Sequence, residues 1–175
     1  MSEDILVYDG YQPGSIGQML TLHMDYYGPE WGLGQKFEIY CAGGMAAFFS
    51  DFDPDRDFFL AARNAQGEML GSIVIDGREA MGEGARLRWF IVDQRIKGAG
   101  TGTHLLEQAM AFCQSKGFGD IFLATFAGLE ASRHLYEQAG FRLVEKKTGD
   151  PWSGEMGERI FRYESRSRNH SDKPG

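Results

Sequence analysis

The chain has 175 residues, a net charge of −7, 42% hydrophobic and 25% charged residues, and two cysteines. That mix suits one globular domain, able to bury roughly 70% of its unfolded surface without staples. It excludes a collagen repeat, a Pro/Gly low-complexity chain and a disulfide scaffold, and the acidic balance argues against general nucleic-acid binding. The 24 glycines are about twice the ordinary share and need a reason position by position.

No stretch approaches the about 18 consecutive apolar residues of a membrane helix. Met1–Asp4 lacks the features of a signal peptide. With Cys41 and Cys113 read as free thiols, a reducing cytoplasm is the expected compartment. Residues 1–90 hold 14 acids and 6 bases, giving −8, whereas residues 91–175 hold 11 and 12, giving +1. The second half is the better host for an anion and the first for a cation.

Ile5–Tyr8 reads as a first strand. A helix follows from Ser15, its expected N-cap, with Ile16, Leu20, His23, Met24 and Tyr27 at three- and four-residue spacing. Gly28-Pro29 is expected to end it. Gln35–Phe49 reads as a second helix, interrupted by Gly43-Gly44, each glycine costing about 1 kcal/mol there. Phe58–Ala62 and Leu70–Ile75 form a hairpin around Asn64-Ala65-Gln66-Gly67. Leu87–Val92 is a strand that runs into the glycine-rich segment 95–102. The next helix carries Leu105, Leu106, Ala109, Met110 and Cys113 and stops at Gly117. Ile121–Phe126 is a strand and Leu129–Ala139 a helix closed by Gly140. Phe141–Glu145 and Arg159–Tyr163 are the last strands. The order is βααβββαβαββ, an α/β arrangement over residues 1–164, and 165–175 is expected to be a disordered tail.

Residues 89–105 carry the strongest signal. A strand feeds Gly98, Gly100 and Gly102 and then a helix N-terminus, where free N–H groups and the helix dipole make an anion site suited to a pyrophosphate. Arg95 and Lys97 add cationic reach, and Thr101 and Thr103 add hydroxyls. No Gly-Lys-Ser/Thr follows, which excludes a Walker A loop. The loop comes after four strands, too late in the chain for a Rossmann fingerprint.

Arg95-Ile96-Lys97-Gly98-Ala99-Gly100 resembles the Q/R-x-x-G-x-G/A signature of GNAT-type N-acetyltransferases. Leu135-Tyr136-Glu137 through Gly140-Phe141 resembles that family's L-Y-E-x-x-G-F element. Leu87–Val92, Leu129-x-Ala131 and His23–Tyr27 with Phe37-Glu38 are also similar to the acetyltransferase half of MarR-type regulator fusions. The likeness spans roughly residues 4–164 and implies a mixed sheet of about seven strands with helices on both faces. Many family members carry Asn where this chain has Leu129.

The resemblance implies acetyl-coenzyme A as cosubstrate, lying between the strand that ends at Val92 and the strand that ends near Phe126. The backbone of Phe90, Ile91 and Val92 would hold the pantetheine arm and polarise the thioester. The backbone of Lys97, Gly98, Ala99, Gly100, Thr101, Gly102 and Thr103 would hold the pyrophosphate, helped by Arg95. Tyr136 matches the tyrosine that protonates the departing coenzyme A thiolate. A general base is harder to place, because Arg86-Leu87-Arg88-Trp89 contains no acid. Candidates are Glu38 and His23, then Asp25 and Glu83, although His23 sits on an apolar stripe, where a satisfied core histidine is the commoner outcome. Tyr26, Trp31 and Trp89 are the expected acceptor contacts, and Trp152 could cap the same pocket. The −8 of the first half favours a cationic acceptor, a small-molecule or peptide amine. Nucleic acid and membrane are not expected partners, and a homodimer is common in the family. No metal is expected, since His104 and His134 lie apart on helix surfaces. The missing strand carboxylate keeps a non-catalytic acyl-coenzyme A-binding module open as an alternative, and the glycine loop leaves a weaker nucleotide-binding oxidoreductase reading.

Overall fold

The computed structural model describes residues 5–126, 130–149 and 157–164. Along the chain run β1 (Val7–Asp9), α1 (Ser15–Trp31), α2 (Gln35–Ser50), β2 (Phe58–Arg63), β3 (Met69–Asp76) and β4 (Ala85–Val92). A 3-10 turn (Gln94–Ile96) leads to α3 (Thr101–Ser115), β5 (Asp120–Phe126), α4 (Glu130–Gln138), β6 (Phe141–Lys146) and β7 (Glu158–Glu164). The strands form one sheet in the order β1-β2-β3-β4-β5-β7-β6. Leu129, Trp152 and the tail 165–175 lie outside the described residues.

The helices cover the sheet from two sides. Met19 and Leu22 of α1 and Phe37, Met45 and Phe48 of α2 pack with Phe59, Ala61, Val74 and Ile91. Leu105, Leu106 and Ala109 of α3 and Tyr136 of α4 pack with Ile73, Ile75, Leu87, Ile121 and Leu123. β3 lies between the two cores and is buried at every position, as a strand covered on both faces must be.

Three local expectations are corrected. Ser15 is the first helical residue and not the cap: Gly14 caps α1 at φ +94, a left-handed conformation cheap only for glycine. The Ser15 hydroxyl instead accepts from the Gln12 N–H at 2.9 Å and from Arg63 Nη2 at 2.8 Å, while Arg63 Nε donates to Asp9 at 2.8 Å. α1 also runs through Gly28-Pro29 to Trp31. Pro29 forfeits one N–H bond in the final turn, and the chain reverses at Gly32 (φ +64), whose N–H donates to the Gly28 carbonyl. In α2, Gly44 has a reason: a Cβ there would sit 3.0 Å from both Arg88 Nη2 and the Trp89 ring. Gly43 faces open space, and nothing in the structure explains it.

The middle of the sheet is irregular in two ways that create the site. β4 and β5 are parallel, but they pair only at Ala85 with Ile121 and Arg86 with Phe122. Beyond that point β4 continues to Val92 and β5 to Phe126 without bonding each other, which leaves a wedge. On its other side β4 is bulged. Ser72 stands opposite Ile91 and Val74 opposite Arg88, so Ile73 faces two residues, Trp89 and Phe90. Trp89 has φ +45, a rare conformation for a large side chain that costs of order 1–3 kcal/mol. The Ser72 hydroxyl donates to the Trp89 carbonyl at 2.8 Å and helps hold the bulge.

Candidate active site

The wedge holds a cavity of about 90 Å³ walled by aromatic residues of α1 and α2, by Arg86–Phe90 of β4, by Leu123–Phe126 of β5 and by Tyr136 of α4. A longer groove of about 760 Å³ runs between α3 and α4, from Thr103 past Met110 to Gln114 on one side and along Leu135 and Ala139 on the other. A third hollow of about 220 Å³, bounded by Leu22, Tyr26, Ile91 and Val92, lies where α1 meets the end of β4.

The glycine loop lies next to two of these spaces, with Thr103 lining the groove and Asp93 and Gln94 lining the third hollow. Gly98 (φ +85) and Gly100 (φ +82) both take the left-handed conformation, and α3 starts immediately afterwards. The N–H groups of Ile96, Lys97 and Ala99 donate within the loop. Those of Gly98 and Gly100 meet no acceptor among the described residues. Thr101, Gly102 and Thr103 are the first three residues of α3, so their N–H groups have no intrahelical partner either. Five free donors at a helix N-terminus form a cradle for an oxyanion. A Cβ on Gly102 would lie 3.5 Å from Leu135 Cδ1 and Val92 Cγ2 and 3.6 Å from Phe90 Cζ, so the cradle borders the wedge.

Two side chains differ from the sequence expectation. The Arg95 guanidinium is held by Glu68 at 2.6 Å and Asp93 at 2.8 Å, and these carboxylates raise its pKa. It braces the loop against the β2–β3 turn. Thr101 is buried, 2% exposed, with its methyl group close to Gly71, so it offers its N–H rather than its hydroxyl. Thr103 and Lys97 are exposed, and the Lys97 ammonium lies 5.3 Å from the centre of the Tyr26 ring.

Tyr136 sits at the base of the wedge, 5% exposed, with ring contacts to Phe90 at 5.9 Å and to Phe141 and Phe161 at 6.1 Å. Burial raises its phenol pKa well above the ordinary range, so at neutral pH it holds its proton.

Comparison with known proteins agrees with this architecture. Residues 16–141 match the acetyltransferase (GNAT) family. The chain belongs to that family. Among similar solved structures is a GNAT acetyltransferase of Staphylococcus aureus, 13% identical, with a TM-score of 0.72 over 91% of this chain and 98% of that one. An acetyltransferase of Streptococcus agalactiae is 20% identical, with a TM-score of 0.72 over 91% and 98% of the two chains. The ribosomal-protein-S18-alanine N-acetyltransferase of Escherichia coli is 17% identical, with a TM-score of 0.67 over 96% and 100%. At these identities the likeness establishes the fold. No curated protein matches the sequence.

The base candidates of this GNAT domain fare unequally. Glu38 is exposed in the first turn of α2 and is not among the residues that wall the wedge cavity. His23 does line that cavity. It is 4% exposed, stacked on Tyr27 at 6.1 Å, and its Nδ1 donates to the Met19 carbonyl at 2.7 Å. Burial lowers its pKa to about 4, so it is neutral at pH 7, with Nε2 left as an acceptor. So weak a base cannot hold the proton of an ammonium near pKa 10.4.

The buried neutral imidazole makes stability pH-dependent. Its folded pKa, about 4, lies below the ordinary imidazole value of 6.5. Its contribution is therefore complete above pH 6.5 and falls as pH drops toward 4, by roughly 3 kcal/mol at most. His23→Gln is expected to flatten the melting temperature between pH 6.5 and 4. A variant as acid-sensitive as the wild type would contradict this.

On the acceptor side, Trp31 stacks on Phe126 at 6.4 Å, and Tyr26 lines the hollow beside Val92. Trp89 turns toward α2, with its ring 5.9 Å from Phe48 and the Arg88 guanidinium 4.1 Å above it. Among the described residues, the charged ones of the cavity wall are Arg86 and Arg88, not acids. The acids behind the −8 gather elsewhere, with Asp51, Asp53, Asp55 and Asp57 in the α2–β2 loop. In the sequence β4 lacks an acid and carries two arginines in its place. Two arginines at i and i+2 in an otherwise apolar strand were the available signal, since same-parity residues share a face. Among the described residues, no group of three or more metal-ligating side chains is present, and no helix is long and apolar enough to cross a membrane.

Proposed function

We propose that this GNAT protein transfers an acetyl group from acetyl-coenzyme A to a primary amine by direct attack, with no acyl-enzyme intermediate. The observation that carries the proposal is the unpaired inner edge of β4 from Leu87 to Val92, which lies between a five-donor oxyanion cradle and a buried neutral phenol. Bound acetyl-coenzyme A would supply an activated thioester. Gly98, Gly100, Thr101, Gly102 and Thr103 would hold its pyrophosphate through backbone N–H groups, and the groove between α3 and α4 has room for the rest of the nucleotide. The free edge of β4 would bond the pantetheine arm, and one of its N–H groups would polarise the thioester carbonyl, a contribution that typically costs 2.7–4 kcal/mol when removed.

Tyr136 would give its proton to the departing sulfur, a transfer uphill at equilibrium because the thiol's reference pKa of about 8.5 lies below the phenol's, and would regain a proton from the one that the attacking nitrogen sheds through solvent. Tyr26 and Trp31 would line the amine's approach. We place the protein in the cytoplasm, where Cys41 and Cys113, both buried thiols, stay reduced. A second reading, a non-catalytic acyl-coenzyme A-binding module, draws support from the absence of acids on the described cavity wall.

Acetyl-coenzyme A at 100 times its Kd is expected to add about 2.7 kcal/mol, a rise in melting temperature of roughly 5–11 °C, whereas NAD adds nothing. Stabilisation by NAD and not by acetyl-coenzyme A would overturn the proposal. Release of free thiol with an amine panel separates the enzyme from the binding module.

A further inference from the structure

Two guanidiniums belong to the wall of the wedge cavity. Ala85 and Leu87 belong to the core beneath α3. Arg86 and Arg88 project from the opposite face of β4 and wall the wedge cavity. Asp76 is the register partner of Arg86 across β3 and β4, yet it bonds other arginines: Arg78 at 2.6 Å and Arg88 at 3.1 Å. Arg86 has no carboxylate among the ion pairs of the described residues, and its buried Nε has no hydrogen-bond partner. Its guanidinium lies 6.0 Å from the centre of the Phe122 ring, which Arg162 also approaches at 5.2 Å. Burial, and then repulsion from Arg86, lowers the Arg88 pKa. Asp76 with Arg78, Arg86 and Arg88 sums to +2, in a chain whose total is −7.

A buried guanidinium Nε without a partner is costly unless something satisfies it. Its planar fork fits a carboxylate or another oxyanion in two parallel hydrogen bonds. We propose that the acceptor is a primary amine that itself carries an oxyanion, a carboxylate or a phosphonate, and that Arg86 binds this group while Arg88, anchored on Asp76, strengthens the positive field. The amine then lies toward the open part of the wedge, with its charged group toward the closed end where β4 and β5 pair. This rests on the acetyl-transfer reading above.

The test uses the wild-type protein, saturating acetyl-coenzyme A and matched amines built on glycine, alanine, leucine and phenylalanine. Each is offered as the free amino acid, its amide, the decarboxylated amine and the aminophosphonic counterpart, with thiol release as the readout. At least one oxyanion form is expected to exceed its amide and its plain amine about tenfold or more in kcat/KM, mainly through KM. The carboxylate and phosphonate arms tell the two oxyanions apart. Arg86→Met is expected to collapse the ratio of acid to amide toward one, and Arg86→Lys to retain part of it. Melting temperatures check that both variants fold, and the wild-type ratio stands without them. Amides or plain amines used equally well, or an acetyl-coenzyme A-binding protein that turns over no oxyanion form, would overturn the proposal. Failure of acetyl-coenzyme A to stabilise the protein would instead strike the acetyl-transfer reading itself.

Discussion

Tyr136→Phe is expected to lower turnover by about 100-fold or more while leaving acetyl-coenzyme A affinity nearly unchanged, the span typical of a lost general acid. The ring is fixed by Phe90, Phe141 and Phe161, and phenylalanine keeps those contacts. The hydroxyl makes no hydrogen bond with the described residues, so its removal should cost little stability. The variant therefore isolates the proton. Because burial raises the phenol pKa, the wild-type rate is expected to show no loss from Tyr136 ionisation as pH rises toward 10. Steady-state kinetics and a binding titration settle both points, and an unchanged kcat would remove Tyr136 from the chemistry.

Gly102→Val is expected to weaken acetyl-coenzyme A binding by about 100-fold, or roughly 2.7 kcal/mol. A Cβ alone is tolerated there, at 3.5 Å from Leu135 and Val92, but the two γ-methyls must enter the gap between the loop donors and the wedge. Gly14→Ala is the control. Its φ of +94 makes any side chain at the start of α1 strained, outside the cradle, so it should lower stability without lowering affinity. Equal affinity losses in both variants would mean that Gly102 acts only through folding.

The parts that were legible before the fold was in hand are those with a periodic or compositional signature. The stripe of α3, the Asn64–Gly67 turn and the glycines before Thr101 all carry local causes, and the element order followed from them. The missed parts depend on contacts distant in sequence. Ser15 reads as a cap until Arg63, 48 residues away, takes its hydroxyl. Gly44 looks like a flaw in a helix until Trp89 and Arg88 arrive against it. Nothing near Arg95 in the sequence shows that Glu68, 27 residues away, also holds it. The −8 of the first half is silent about the cavity wall for the same reason, because net charge ignores where the chain places each group. Local propensity also gives no warning of a tryptophan at φ +45, since only the surrounding sheet can impose it.

The bulge at Trp89 has one more effect, on side-chain parity. Before it, odd-numbered Ala85 and Leu87 face the α3 core and even-numbered Arg86 and Arg88 face the other way. After it, even-numbered Phe90 and Val92 pack with the α3 core and odd-numbered Ile91 joins the α1–α2 core. One inserted residue thus lets a single strand present two cations to the α2 side and, two positions later, two apolar walls to the opposite side beside Tyr136. A regular strand that paired Trp89 in register, with no residue bulged, would exchange those faces: the segment would keep its hydrophobicity but lose its sidedness.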